Sequence, residues 1–430
     1  MNLSGTRGQL PEGVRDLLPR EAARMRYISG RLADLFRSWG YREVITPGFE
    51  YLETVTAGAG QLGRPEDLYQ FFDRKGRTLA LRADMTTPIA RIAATRLAGE
   101  PLPLRLSYHG PVFRRRDEKA GIASEIWQAG VELIGAAGVS ADAEAVALAC
   151  AALSATGLQG FKVGLGHVDF VEGIFEAAGV GGEQEAALKA SLVTRDLVAF
   201  ERGAREAAPS PEQADLLVAM ATFQGDYQAA LEEFGQVQNP RVQRALQQLG
   251  TMLALLKEFG VADQVSLDLG LARSLEYYTG VVFEGYAPGV GAPVLGGGRY
   301  DGLLADFGGD LPAVGFALEM DRLLAALERQ GRLTTNLDRE DVIVACPPGQ
   351  EAQAMAVARE ARSRGLSVAV DLLGRTGAEL EAYARARGAR WIFFPDGTEQ
   401  ALPDPPMADP AEGFRDTVRR PPEGAVTSIH

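Results

Sequence analysis

The stretch FRRRDEKAGIASEIWQAGVELIG, residues 113–135, decides the fold that the sequence predicts. Its second half, residues 125–133, reads as a β-strand in which Gln128 and Glu132 occupy alternate positions. Since alternate side chains of a strand point the same way, both polar side chains are expected on one face of a sheet. Buried polar groups need hydrogen-bond partners, which a polar ligand can supply. The stretch therefore predicts a ligand-facing strand, and the alternative is an edge strand whose polar face lies in water.

Further strand-like runs flank this stretch on both sides. They cover residues 104–108, 280–284 and 313–318, and residues 78–94 read as a strand that turns into a helix near Asp84. Apolar residues at helical spacing over residues 21–39, with Gly40 at the expected stop, predict an amphipathic helix. Together the elements predict an α+β fold, a largely antiparallel sheet with flanking helices.

The composition changes along the chain predict its domain organisation. Residues 1–330 are expected to form a core, interrupted at about residues 160–263 by a helical insertion with long helices such as 183–202 and 211–234. Residues 339–395 alternate strand and helix, which predicts a small parallel α/β unit. The proline-rich residues 396–430 are expected to be an extended or partly disordered tail.

Charge, cysteines and hydropathy exclude several classes of protein. A formal net charge of −13 argues against a general nucleic-acid binder, because binding to phosphate backbones depends on Lys and Arg. Cys150 and Cys346 are expected to be buried, reduced thiols, and the three histidines lack the spacing of metal ligands. No apolar run suits a membrane span or a signal peptide, so a cytoplasmic protein without metal or cofactor is expected.

Three separated segments carry a family resemblance. They are residues 113–135, LARSLEYYTGVVFE at residues 271–284, and GGGRYDGL with PAVGFALEMDRL at residues 296–303 and 312–323. Together they resemble the histidyl-tRNA synthetase family of class II aminoacyl-tRNA synthetases. The resemblance implies the class II antiparallel sheet. Residues 41–47, a β-branched run that ends at Pro47, are expected to form a strand, and the resemblance implies that they build a homodimer interface.

The resemblance also implies a histidine pocket. In the family, the positions of Asp84 and Thr86 hold the amino-acid ammonium, and a carboxylate suits that role because charge-assisted hydrogen bonds are strong. The alternative for Asp84 is a cap on the following helix, and adjacent strand tyrosines are ordinary in themselves. The expected histidine-binding residues are Asp84, Thr86, Arg114, Gln128, Glu132, Arg273, Tyr277 and Tyr278.

The positions that handle ATP in the family are altered here. Arg116 stands where the family has Glu, and three positions that are usually basic carry Asp117, Ile122 and Ser124. Glu319 replaces a glycine, although Arg322 is kept. Loss of preorganised positive charge weakens chemistry on a triphosphate. Gly58, Gly60 and Gly63 fit a G-x-G-x-x-G pattern, but without a surrounding βαβ unit they indicate a flexible loop rather than a dinucleotide site.

A pocket for histidine without the means to adenylate it resembles one branch of the family, the regulatory subunits of ATP phosphoribosyltransferase. That resemblance implies a non-catalytic subunit that pairs with a short-form catalytic subunit in a hetero-oligomer and carries histidine feedback in histidine biosynthesis. No tRNA partner is expected. The α/β unit from Asp341 is a departure, since such subunits often lack it, so a divergent histidyl-tRNA synthetase stays open as the alternative. A third reading is a stand-alone amino-acid-binding module.

Overall fold

The computed structural model describes residues 8–57, 64–115, 123–272, 278–333 and 339–403. These residues divide into two compact units, one within Met1–Asp16 and Ile28–Gln330 and the other within Leu17–Tyr27 and Gly331–His430. Several predictions concern positions outside the described residues, namely Gly58, Gly60, Gly63, Arg116, Asp117, Ile122, Arg273, Tyr277 and the tail from residue 404.

The first unit is built on one large sheet. Its strands, among the described residues, are β1 (Arg42–Glu43), β5 (Leu104–Phe113), β6 (Glu125–Ile134), β7 (Lys162–His167), β8 (Gln224–Gly225), β9 (Val265–Asp268), β10 (Val281–Tyr286), β11 (Leu295–Arg299) and β12 (Ala313–Glu319). Their order is β1-β5-β6-β12-β11-β10-β7-β9-β8. Only the β1–β5 and β7–β9 pairs of these strands are parallel, so the predicted antiparallel-rich α+β class is confirmed.

A small antiparallel sheet contains β2 (Phe49–Tyr51), β3 (Gln70–Phe72) and β4 (Thr78–Leu81) in the order β2-β4-β3. The strand expected over residues 41–47 is shorter than predicted, because only β1 pairs with a neighbour. The carbonyl oxygens of Thr46 and Pro47 instead accept hydrogen bonds from the buried guanidinium of Arg82. A side chain has thus replaced the sheet ladder at this point.

The described residues up to Gln330 also form helices, among them α4 (Val139–Ala155). Helix α4 is buried on all sides, and it packs on β10, β11 and β12, which explains why its sequence is apolar without a polar stripe. No helix in the described ranges is long and apolar enough to cross a membrane. The helices are α1 (Pro19–Ser38), α2 (Leu52–Thr56), α3 (Thr86–Thr95), α4 (Val139–Ala155), α5 (Val168–Ala177), α6 (Gly182–Val193), α7 (Leu197–Ala207), α8 (Pro211–Thr222), α9 (Tyr227–Phe234), α10 (Pro240–Glu258) and α11 (Met320–Arg329).

The region predicted as a helical insertion contains strands as well. Strand β7 belongs to the large sheet, between β10 and β9, and β8 separates α8 from α9. The predicted helix over residues 183–202 is broken at Arg195, which adopts a left-handed backbone conformation with φ of 56°. Asp196 then starts α7 by accepting a hydrogen bond from the Ala199 backbone N–H at 2.9 Å. Helical periodicity continues across this break, so the sequence pattern conceals it.

The second unit contains a four-stranded sheet in its described residues, in the order β14-β13-β15-β16. Val342 and Val344 pack under one helix and Ile343 under the other, so alternate side chains of β13 bury both faces of the sheet. The elements are β13 (Val342–Val344), α12 (Glu351–Ser363), β14 (Val368–Val370), α13 (Gly377–Ala386), β15 (Trp391–Phe393) and β16 (Glu399–Ala401). Strand β16 is antiparallel to β15 and lies in the segment predicted as tail, so the sheet extends past residue 395.

Candidate functional site

A cleft opens on one face of the large sheet, between strands β5, β6, β11 and β12 and the start of α3. Its empty volume is about 440 Å³, which includes solvent space at its open mouth. Missing side chains on the neighbouring strands make this room, since a Cβ atom on Gly315 would lie 1.9 Å from Glu132 Oε2. The lining residues are Asp84, Met85, Thr86, Tyr108, Arg114, Gln128, Glu132, Tyr278, Gly296, Tyr300, Gly315, Phe316 and Ala317.

The Asp84 carboxylate caps a helix and lines the cleft at the same time. It accepts hydrogen bonds from the Thr87 backbone N–H at 2.6 Å and from the Thr87 hydroxyl at 3.0 Å. The capping alternative for this residue therefore holds, and it does not remove Asp84 from the cleft. Burial raises the pKa of Asp84, against the lowering effects of the Thr87 hydrogen bonds and of the nearby Arg114 charge.

Glu132 is the most deeply buried ionisable group of the cleft, with only 1% of its surface exposed. One carboxyl oxygen accepts a hydrogen bond from the Thr86 hydroxyl at 2.8 Å, and the other accepts one from the Tyr300 hydroxyl. Burial nevertheless raises the pKa of Glu132 to about 8, and the nearby Asp84 carboxylate adds to this. Burial thus favours the protonated form of this carboxyl, and a neighbouring positive charge would favour the ionised form.

The other predicted residues that the structure describes also converge on the cleft. Gln128 is buried on β6, and β6 lies between β5 and β12, so the alternative of an edge strand in water is wrong. Arg114 donates from Nε to the Ala83 carbonyl at 2.9 Å, and Tyr278 is half-buried in the cleft wall. The positions of Arg273 and Tyr277 lie outside the described residues, and their roles stay predictions.

Two tyrosines of the cleft were not among the predicted ligand-binding residues. Tyr108 pairs across the sheet with Gly130, which puts it on the same face as Gln128 and Glu132, and burial raises its pKa well above the usual value. Tyr300, which follows β11, reaches Glu132 from the opposite side of the cleft. In the sequence, the alternation of side chains along β5 assigns Tyr108 to one face of that strand. Only the pairing of β5 with β6 shows that this face lines the cleft.

The altered positions of the sequence take part in contacts within the chain. Arg322 Nε lies 2.8 Å from Glu319 Oε2, and Arg322 Nη1 donates to the Pro293 carbonyl at 2.9 Å. Glu319 pairs across the sheet with Gln128, so this ion pair lies at the end of the cleft-bearing strands. Ser124 is buried, and its backbone N–H donates to the Gly13 carbonyl at 2.7 Å.

Comparison with known proteins agrees with this fold and cleft. The family model described as histidyl-tRNA synthetase matches residues 13–323. The ATP phosphoribosyltransferase regulatory subunit of Symbiobacterium thermophilum is 62% identical over 395 residues, covering 92% of this chain and 98% of that protein. The regulatory subunit of Moorella thermoacetica is 45% identical over 387 residues, covering 89% and 98%.

Solved structures give the same picture. An ATP phosphoribosyltransferase regulatory subunit/histidyl-tRNA synthetase from Bacillus halodurans matches with a TM-score of 0.79 at 33% identity, covering 90% of this chain and 98% of that chain. Histidyl-tRNA synthetase from Nostoc matches with a TM-score of 0.78 at 20% identity, which is a likeness of fold alone, and covers 92% and 96%.

The chain belongs to the histidyl-tRNA synthetase family and has its class II fold. Within that family it groups with the regulatory subunits of ATP phosphoribosyltransferase. The predicted resemblance is therefore confirmed, and so is the predicted non-catalytic, regulatory role in histidine biosynthesis.

The raised pKa of Glu132 predicts a pH dependence of stability. Because the folded protein holds this proton up to about pH 8 and an unfolded chain releases it near pH 4.5, the free energy of unfolding should fall between these values as pH rises. The contribution is on the order of a few kcal/mol. Glu132→Gln removes it, so urea unfolding at pH 5 and pH 8.5 should show a smaller loss of stability in the variant.

The matched control for this comparison is Glu183→Gln, which changes an exposed glutamate on α6. It should keep the pH dependence of the unchanged protein. Identical pH dependence in all three proteins would contradict the assignment of this proton to Glu132.

Proposed function

We propose that the cleft binds free histidine and that the protein conveys its binding to a short-form catalytic subunit, which it activates and makes sensitive to histidine feedback. The observation that carries this proposal is the pair of carboxylates, Asp84 and Glu132, buried in one cleft. Two buried carboxyl groups with raised pKa values form a site for a ligand that has two hydrogen-bond-donating groups, each of them positively charged or polar. Histidine has two such groups, its ammonium and its imidazole.

Each lining residue fits a part of histidine by its chemistry. Asp84 and Thr86 lie together at the start of α3 and would hold the ammonium, while Arg114 beside them would pair with the ligand carboxylate. Gln128 and Glu132 would receive the imidazole N–H groups, and the ring of Tyr278 would pack against the imidazole. By the family resemblance Arg273 and Tyr277 complete the pocket.

The contacts of the altered positions support binding without adenylation. A guanidinium that is already paired with a carboxylate, as Arg322 is with Glu319, is less available to a phosphate group. The buried Ser124 supplies no positive charge at a position where the family has a basic side chain. The net charge of −13 is unfavourable for binding the phosphate backbone of tRNA, and we propose no tRNA partner.

We propose further that the protein is a homodimer within the hetero-oligomer. The outer face of the small sheet carries Phe49, Tyr51 and Phe71, and Phe49 is 51% exposed although it packs edge-on against Phe71. Ile45, in the predicted interface segment, is 87% exposed. Large exposed apolar faces mark interaction surfaces, and a self-complementary face of this kind suits a two-fold dimer.

The cytoplasm is the proposed location of this complex. Cys150 and Cys346 are both buried and free, as is usual for proteins that work in a reducing compartment. The names of the regulatory relatives imply a catalytic subunit, and we propose that the two subunits assemble in this compartment.

Histidine binding without activation can be tested directly. Calorimetry should show binding of histidine in the absence of ATP, and histidine-dependent ATP–pyrophosphate exchange should stay at background.

Asp84→Asn removes the charge that pairs with the ammonium and should cost about 2–3 kcal/mol, or about a hundredfold in affinity. Asp34→Asn is the matched control, because it changes an exposed aspartate on α1 that does not line the cleft, and it should keep the affinity for histidine. Equal affinities of Asp84→Asn and the unchanged protein would take Asp84 out of the site, and robust exchange would refute the regulatory role.

The proposed dimer predicts a charge-sensitive association. Phe71→Asp places a carboxylate in the apolar face and should shift the protein to a monomer at micromolar concentration, as measured by analytical ultracentrifugation. Val198→Asp changes an exposed residue on α7, away from that face, and should leave the dimer intact. A monomeric unchanged protein, or an unaffected Phe71→Asp dimer, would refute this interface.

The complex with the catalytic subunit predicts reciprocal effects. Adding this chain to a short-form catalytic subunit should raise its activity and make it sensitive to histidine. Because coupling between sites is reciprocal, the catalytic subunit should change the histidine affinity of this chain, by about five- to 150-fold. Asp84→Asn should still activate but should lose sensitivity to histidine. Equal affinities with and without the partner, together with activity indifferent to histidine, would contradict the feedback proposal.

A further inference from the structure

The corner between α6 and α7 contains an unusual backbone conformation. Arg195 has a φ of 56°, and every other residue with positive φ in the described ranges is a glycine. The left-handed region is costly for an L-residue with a side chain, so such a residue is kept only where other contacts hold it. A glycine would adopt this conformation without cost. The question is therefore what the Arg195 side chain contributes.

The Arg195 side chain makes a two-pronged ion pair with Asp268, the last residue of β9. Nη2 lies 2.7 Å from Asp268 Oδ2, and Nη1 lies 3.2 Å from Oδ1. Asp268 is buried, and Tyr286 Oη lies 3.5 Å from Arg195 Nη2. A buried carboxylate that loses its cation is strongly destabilising, so this contact holds the corner and the end of β9 together.

The chain that follows Asp268 is tightly fixed. The Leu271 backbone N–H donates to the Asp268 carbonyl at 3.1 Å, which closes a turn. Gly166 on β7 makes room for this turn, since a Cβ there would lie 2.9 Å from Leu271 Cβ. A Cβ on Gly270 would lie 2.6 Å from the Ala221 carbonyl oxygen of α8. The turn is therefore packed between strand β7 and helix α8.

The same stretch of chain leads to the cleft wall. Tyr278, which follows this turn in the chain, lines the cleft. The Gly280 carbonyl then accepts a hydrogen bond from the Val168 backbone N–H at 2.9 Å, at the start of α5. The turn at Asp268 and the Gly280 carbonyl are thus each held by elements between β7 and α8, and one of these contacts is made by Arg195.

We propose that Arg195 is a positioning residue for the cleft. Acting through Asp268, it fixes the start of the chain segment that enters the cleft wall at Tyr278, and it couples α6 and α7 to ligand affinity. This inference rests on the proposed binding of histidine. A purely local role, in which Arg195 only closes the corner between its two helices, would leave the cleft unaffected.

Four variants separate the two roles. Arg195→Gly removes the ion pair but suits the left-handed backbone, so the corner keeps its conformation. Arg195→Lys keeps the positive charge without the two-pronged geometry. Arg195→Gly combined with Asp268→Asn removes the uncompensated buried charge. Arg205→Ala is the matched control, because Arg205 forms ion pairs within α7 and with α8 and makes none with β9.

Hydrogen exchange of the backbone amides at residues 268–271 and calorimetric histidine affinity are the two readouts. Arg195→Gly should speed exchange at these amides about tenfold or more while exchange in α7 stays unchanged. It should weaken histidine binding by about fivefold or more. Arg195→Lys and the double variant should recover part of both losses, and Arg205→Ala should match the unchanged protein.

Unchanged exchange or unchanged affinity in Arg195→Gly would overturn the positioning role. An equal effect of Arg205→Ala would also overturn it, because it would assign the loss to general weakening of the inserted helices. Failure of the unchanged protein to bind histidine would instead refute the proposed function. The exchange measurement needs no ligand, so in that case it alone decides whether Arg195 fixes the turn.

Discussion

The burial of the Glu132 carboxyl group is the constraint on which the cleft depends. A carboxyl in the middle of a central strand is stable only if its oxygens find partners, since burying a polar group without hydrogen bonds is costly. Thr86 at the start of α3 and Tyr300 after β11 supply these partners from opposite sides. Gly315 supplies the space, because any side chain there would collide with the carboxyl. Four separate segments of the chain must therefore meet at one atom group.

This arrangement stores an unfavourable interaction that a ligand can relieve. Burial raises the pKa values of both Asp84 and Glu132, which means that the folded protein resists charging either group. A cationic ligand reverses this preference, because its charge stabilises the ionised carboxylates. The cleft is thus disposed toward a cationic ligand by its electrostatics. Such a site can change the balance between two states of a complex only if the ligand binds them unequally.

We propose that the contrast between the predicted histidine cleft and its altered surroundings allows a synthetase fold to serve regulation. Arg322, kept from the family pattern, is paired with Glu319, and Ser124 lies buried where a basic residue would be expected. These changes lie beside the cleft and leave its lining untouched. A regulatory protein needs a ligand-binding site and a structural connection between that site and the rest of the protein. The Arg195–Asp268 ion pair supplies such a connection between the inserted helices and the cleft wall.

The sequence by itself determined the features that depend on local spacing. The alternation of Gln128 and Glu132 on a strand, the helix that begins after Asp84 and the α+β class all follow from periodicities of a few residues. The role of Tyr108 and Tyr300, the place of β7 in the large sheet and the break at Arg195 required the tertiary structure. They depend on register and pairing between segments far apart in the chain, which local patterns do not encode. The shortened strand at residues 42–43 has the same cause, because a distant arginine, Arg82, takes the carbonyl groups that a longer strand would have paired.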